Sequence, residues 1–116
     1  MNDATTTVND LRQAVGNFVK ERDWSQFHSP KNLSMAIAIE AAELMEHFQW
    51  LSTEESIAVR ESPVDLQQVR EELADILCFS LSLANALDID VSSSVRDKIV
   101  KNALKYPAER FRGRFR

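Results

Sequence analysis

Apolar residues along this chain recur at helical spacing in runs separated by short polar breaks, and that pattern predicts helices throughout. Val8, Leu11, Val15, Phe18 and Val19 form one stripe over 8–22, opened by Thr7 with Asp10 three residues on, a capping-box spacing. The periodicity lapses across DWSQFHS, residues 23–29. Ser29-Pro30 then supplies an N-cap followed by an N1 proline, so a second helix is expected from Pro30 to Trp50. Ser52 and Glu55 repeat the capping-box spacing ahead of a short helix through Val59, and Ser62-Pro63 with Asp65 opens a long helix reaching Leu87. Asp88 to Asp90 forms a turn, a last helix runs from Val91 to Lys105, and Pro107 ends it, leaving 108–116 as a basic, mobile tail.

Composition supports the same picture. With 116 residues the chain suits one domain, and only two glycines and three prolines punctuate it, too few for the tight turns of an all-β fold. An all-α bundle of four or five helices is expected, with a core over 8–107. Cys78 has no intrachain partner and, beside Ile76, Leu77 and Phe79, is expected to be a buried, inert thiol. The polar start of the chain carries no apolar leader, and the longest apolar stretch, Met35 to Ile39, falls far short of a membrane span; a soluble, cytoplasmic protein is expected.

Net charge is −4 and unevenly spread: Arg96 to Arg116 holds eight Lys/Arg against Asp97 and Glu109, a net +6, which leaves −10 for the rest. An acidic body argues against binding a nucleic-acid polymer, which needs a broad basic surface. A basic C-terminal region suits one small polyanion instead.

The chemistry is concentrated in four acids. Projected on helical wheels, Glu40 falls with Leu33, Ala36, Ile37 and Leu44, with Glu43 one turn along; Glu72 and Asp75 fall with Val69, Ile76, Phe79 and Leu83 at the same separation. An unpaired buried carboxylate costs several kcal/mol, so acids on apolar faces need cations or protons. Basic partners are scarce there: no Lys or Arg lies between Lys31 and Arg60, and only Arg70 lies between Arg60 and Arg96. A metal ion answers the deficit, and all-oxygen donors favour Mg²⁺, with Mn²⁺ as a substitute, over zinc. Four carboxylates exceed what one Mg²⁺ takes from protein, which suggests more than one ion and a phosphate-bearing substrate. The plainer reading, acids on solvated faces, suits Glu46, Glu54, Glu55, Glu61 and Glu71 among the 18 acids. What sets the four apart is a matching pair inside each of two apolar faces.

The segments ERDWSQFHSPKNL, AIEAAELMEHFQW, EELADIL and DKIVKNALKYP, in that order over Glu21 to Pro107, resemble the all-α nucleoside triphosphate pyrophosphohydrolases of the MazG-like superfamily, in particular the dCTP pyrophosphatase branch. The resemblance implies Mg²⁺ held by Glu40, Glu43, Glu72 and Asp75, the same four acids. It further implies hydrolysis of a (d)NTP to the monophosphate and pyrophosphate, and a role in cleaning the nucleotide pool. Ile39 stands where the longer family signature has a further acid. Glu43 is the candidate general base.

By the same resemblance Trp24, His28 and Trp50 line a base pocket, and Lys98, Asn102, Lys105 and Tyr106 face phosphate and sugar. Packing alone would also explain the tryptophans, a helix-start hydrogen bond His28, and a solvated basic helix end the last group. Phe79 stands where some relatives carry a phenol. The resemblance also implies a homo-oligomer, a tetramer built as a dimer of dimers, or a dimer.

Two other classes compete. A non-catalytic helical partner-binding module, antitoxin-like, would show no metal dependence. A di-iron or di-manganese redox bundle needs Glu-x-x-His pairs, and neither His28 nor His47 has that spacing.

Overall fold

In the computed structural model, residues 1–115 are described, and among them there is no strand. Six α-helices follow in order: α1 (Val8–Glu21), α2 (Pro30–Glu46), α3 (Thr53–Ala58), α4 (Pro63–Leu87), α5 (Val91–Lys105) and α6 (Ala108–Phe111), with 3₁₀ turns at Ser25–Phe27 and Val59–Glu61. The starts obey the local chemistry. Thr7 and Ser52 close reciprocal capping boxes with Asp10 and Glu55, Ser29 and Ser62 cap α2 and α4 ahead of N1 prolines, and Asp90 caps α5. Asp88, at φ 53°, ends α4 in the left-handed region that Asp tolerates.

Two expected boundaries move. The second helix stops at Glu46 instead of Trp50: His47 N–H bonds to Leu44 O and Phe48 N–H to Met45 O, so the chain tightens into turns before Ser52 adopts the extended backbone of the next cap. The expected loose tail contains α6, where Pro107 starts a helical turn and Phe111 packs edge-on against Tyr106 at 5.2 Å. Arg116, counted with that tail, lies outside the described residues.

The packed unit is α1, α2 and α4, with α2 against α4 the main contact. Its centre is thin: Leu33 is 2% exposed, and among the described residues only Ala84 and Ser82 join it as buried. Arg12 ties α1 to the end of α4, donating to Asn85 Oδ1 (3.0 Å), Ile89 O (2.6 Å) and Ala84 O (3.3 Å). Gly16 lies at the same crossing, yet a Cβ there would meet Asn85 Nδ2 at 3.6 Å, an ordinary contact. Gly16→Ala is therefore expected to stabilise the fold by about 0.5–1 kcal/mol through helix propensity, read as a higher urea midpoint. A lower midpoint would show that the crossing cannot take a methyl group.

In contrast, α5 and α6 barely touch the other helices, and Val95, Ile99, Val100 and Leu104 stand exposed along α5. The accessible surface is 9337 Å² and the radius of gyration 17.1 Å. A compact monomer of this size would have about 6,400 Å² and about 13 Å. No single described helix is long and apolar enough to cross a membrane.

Candidate metal centre and adjoining cavity

The inward side of α2 consists of Leu33, Ala36, Ile37, Glu40, Glu43, Leu44 and His47, the residues that are buried or part-buried on that element and its cap. On α4 the facing stripe runs through Leu66, Val69, Glu72, Ile76 and Phe79. Acids thus occupy positions in the α2–α4 seam that the 3.6-residue repeat otherwise gives to apolar side chains. One carboxylate oxygen each from Glu40, Glu43 and Glu72 lies within 4.8 Å of the others.

These groups cannot all be charged and unaccompanied. Glu40 Oε2 and Glu72 Oε2 are buried without a hydrogen-bond partner. Burial pushes the Glu40 carboxyl from 4.5 up to about 7, helped by the neighbouring acids Glu43, Glu72 and Asp75. Among the described residues no Lys or Arg pairs with any of the four acids; His47 Nε2 lies 3.9 Å from Glu72 Oε1. Three converging oxygens, two of them on carboxylates with an orphaned buried atom, fit a hard metal ion.

Asp75 departs from expectation. It is exposed and lies outside the three-oxygen cluster, because it sits one helical step off the buried stripe marked by Glu72, Ile76 and Phe79. Its charge still reaches Glu40 and Cys78. Asp75 instead borders a cavity of about 480 Å³ between α1, α4 and the 23–29 connection, walled by Phe18, Trp24, His28, Cys78 and Phe79. Phe18 and Trp24 meet edge-to-face at 5.7 Å, and the His28 and Phe79 rings lie 6.3 Å apart. His28 Nδ1 is buried and unpartnered. Cys78 is not the buried residue the apolar neighbours suggested: it is exposed on the cavity side, with its thiol pKa raised by partial burial and by Asp75, which keeps it protonated.

The remaining candidates are not assembled here. Trp50 is 86% exposed in the turn after α2. Lys98, Asn102, Lys105 and Tyr106 lie exposed on or just after α5, outside both the acid cluster and the aromatic cavity; Lys105 Nζ stands 5.3 Å from the Tyr106 ring. His47, which the sequence reading did not place at the site, lies four residues after Glu43 on the same acid-bearing face.

Known proteins share this arrangement of chain. The sequence profile of the MazG-like family matches residues 35–114. The dCTP pyrophosphatase 1 of Bos taurus is 39% identical over 107 residues, 92% of this chain and 63% of that protein. The dCTP pyrophosphatase 1 of Homo sapiens is 38% identical over 102 residues, 88% of this chain and 60% of that one. The chain thus spans under two thirds of the length of these curated relatives. A pyrophosphatase from Archaeoglobus fulgidus DSM 4304 superposes with a TM-score of 0.81 at 36% identity, covering 92% of this chain and 98% of that one. With the profile match covering most of the chain and the fold shared nearly end to end, the protein is a member of the MazG-like family, of the branch that includes the dCTP pyrophosphatases.

Proposed function

We propose that this protein hydrolyses deoxynucleoside triphosphates, dCTP or a modified relative, to the monophosphate and pyrophosphate, as a cytoplasmic pool-cleaning enzyme that uses Mg²⁺ or, in its place, Mn²⁺. The observation that carries the proposal is the convergence of the Glu40, Glu43 and Glu72 oxygens within 4.8 Å beside an aromatic cavity. Glu40, Glu43 and Glu72 hold the metal, and Asp75, at the cavity edge, joins them through its charge. When bound, the metal neutralises the phosphates and lowers the pKa of the attacking water.

The protein groups orient and exclude. Trp24 and Phe18 offer ring faces and edges to a nucleobase, and His28 Nδ1, buried and unpartnered, provides a hydrogen-bonding atom for its edge. Glu43 is the proposed base that takes the proton from the attacking water. A raised carboxyl pKa at Glu40 marks it as a ligand that gives up its proton when a cation arrives.

Lys98, Asn102, Lys105 and Tyr106 are proposed to serve the phosphates and sugar from a neighbouring protomer's α5, and Trp50 to close a neighbour's base site. The surplus of about 3,000 Å² over a compact monomer supports a homo-oligomer, a dimer of dimers, since obligate interfaces bury surface on that scale. Pyrophosphate release measured over a panel of canonical and modified dNTPs, with Mg²⁺ and with EDTA, tests the reading. Metal-dependent release strongest with a cytosine nucleotide is expected; no release from any member would sink it.

A further inference from the structure

His47 is the C-cap of α2, one turn beyond Glu43, where its backbone N–H bonds to Leu44 O and Met45 O. Its position is therefore set by the helix end and not by its side chain. From there the ring reaches across the seam to α4, placing Nε2 3.9 Å from Glu72 Oε1, with both side chains mostly buried. Among the described residues no Lys or Arg lies within ion-pairing distance of any of the four acids.

The two oxygens of Glu72 thus have different surroundings: Oε1 faces the imidazole, and Oε2 is buried with no hydrogen-bond partner. The ring itself stands outside the cluster of three carboxylate oxygens, so it neighbours one ligand without being one. A carboxylate restrained at one oxygen presents the other in a fixed direction, and a Glu side chain free of such restraint loses that aim to its own rotamers. Resting on the metal reading above, we infer that His47 is a positioning residue, which holds Glu72 Oε1 through its Nε2–H so that Glu72 Oε2 is presented to the metal. The 3.9 Å separation exceeds a hydrogen bond, so the proposed restraint requires the two side chains to close by about 1 Å.

The test uses the full chain without nucleotide. Mn²⁺ binding is titrated by electron paramagnetic resonance for wild type, His47→Ala and His47→Gln, with helicity and melting followed by circular dichroism. His47→Ala is expected to weaken Mn²⁺ about 10–100-fold at unchanged helicity. His47→Gln, which keeps an N–H donor of similar reach, is expected to recover most of the affinity. His47→Ala binding within twofold of wild type overturns the inference. So does a loss that glutamine fails to rescue, which makes the ring a direct ligand or a packing element. Wild type that binds no Mn²⁺ removes the underlying metal reading, a distinct failure visible before any variant is made.

Discussion

Glu40→Gln is expected to cut pyrophosphate release by about 100-fold or more and, in the same protein stripped of metal at pH 8, to raise the melting temperature. Both effects come from one carboxylate. Its folded-state pKa of about 7 lies above the usual 4.5, chiefly because of burial, so the fold favours the protonated form. That contribution is fully present below pH 4.5, declines as pH rises through 7, and is gone at pH 8, where an unaccompanied charge must be kept in the α2–α4 seam. Glutamine mimics the protonated acid at every pH. The stabilisation of the variant over metal-free wild type is thus expected to be negligible at pH 4 and to show as a higher melting temperature at pH 8.

Addition of Mg²⁺ at pH 8 reverses the order, because the cation stabilises the wild-type carboxylate cluster and finds one ligand fewer in the variant. Activity falls by about 100-fold or more, the scale for loss of a group that holds charge at a reacting phosphate. Thermal melts at two pH values, with EDTA and with Mg²⁺, check every part. Equal melting of the two metal-free proteins at pH 8 would show that Glu40 is not held in the seam as described.

Restoration of activity by mixing two inactive variants is the second large effect expected. On the proposed assembly the acids of one protomer work with Lys98 and Asn102 of a neighbour. Glu72→Gln and a Lys98→Ala/Asn102→Ala double variant are each inactive alone. Unfolded and refolded together in equal amounts, they form mixed pairs in which one of the two sites has wild-type acids and a wild-type α5. About a quarter of wild-type activity is expected from random pairing in a two-fold assembly. No recovery, with mixed oligomers shown to be present, would place the phosphate-facing residues in the same chain as the acids they serve. The motive is the exposed α5, whose Ile99 and Leu104 stand 62% and 79% exposed on a helix that barely touches its own bundle.

Helix existence and the starts of helices were legible because they depend on local chemistry. Thr7 with Asp10, Ser52 with Glu55 and the two Ser-Pro steps satisfy backbone donors within four residues, so no distant partner is needed to read them. Helix ends were harder. The close of α2 at Glu46 depends on how the turn at 47–51 competes with one more helical turn, and apolar Phe48, Trp50 and Leu51 favour neither outcome by periodicity.

The acid cluster divides along the same line. Glu40, Glu43 and Glu72 could be picked from the chain because an acid in an apolar stripe violates a 3.6-residue pattern that the sequence displays by itself. The same projection places Asp75 with them, but the width of the face that α4 buries against α2 is a tertiary property, and Asp75 falls just outside it, at the cavity edge. The environment of Cys78 was decided in the same way, by the gap between α1 and α4 that opens beside it.

By itself, then, the sequence determined an all-helical chain with two carboxylate pairs in apolar faces, since capping and periodicity are properties of a few neighbouring residues. The tertiary structure alone decided which carboxylates meet, that His47 faces Glu72, and that α5 stands away from the bundle. Those facts depend on distances between helices remote in the chain, which no local spacing encodes.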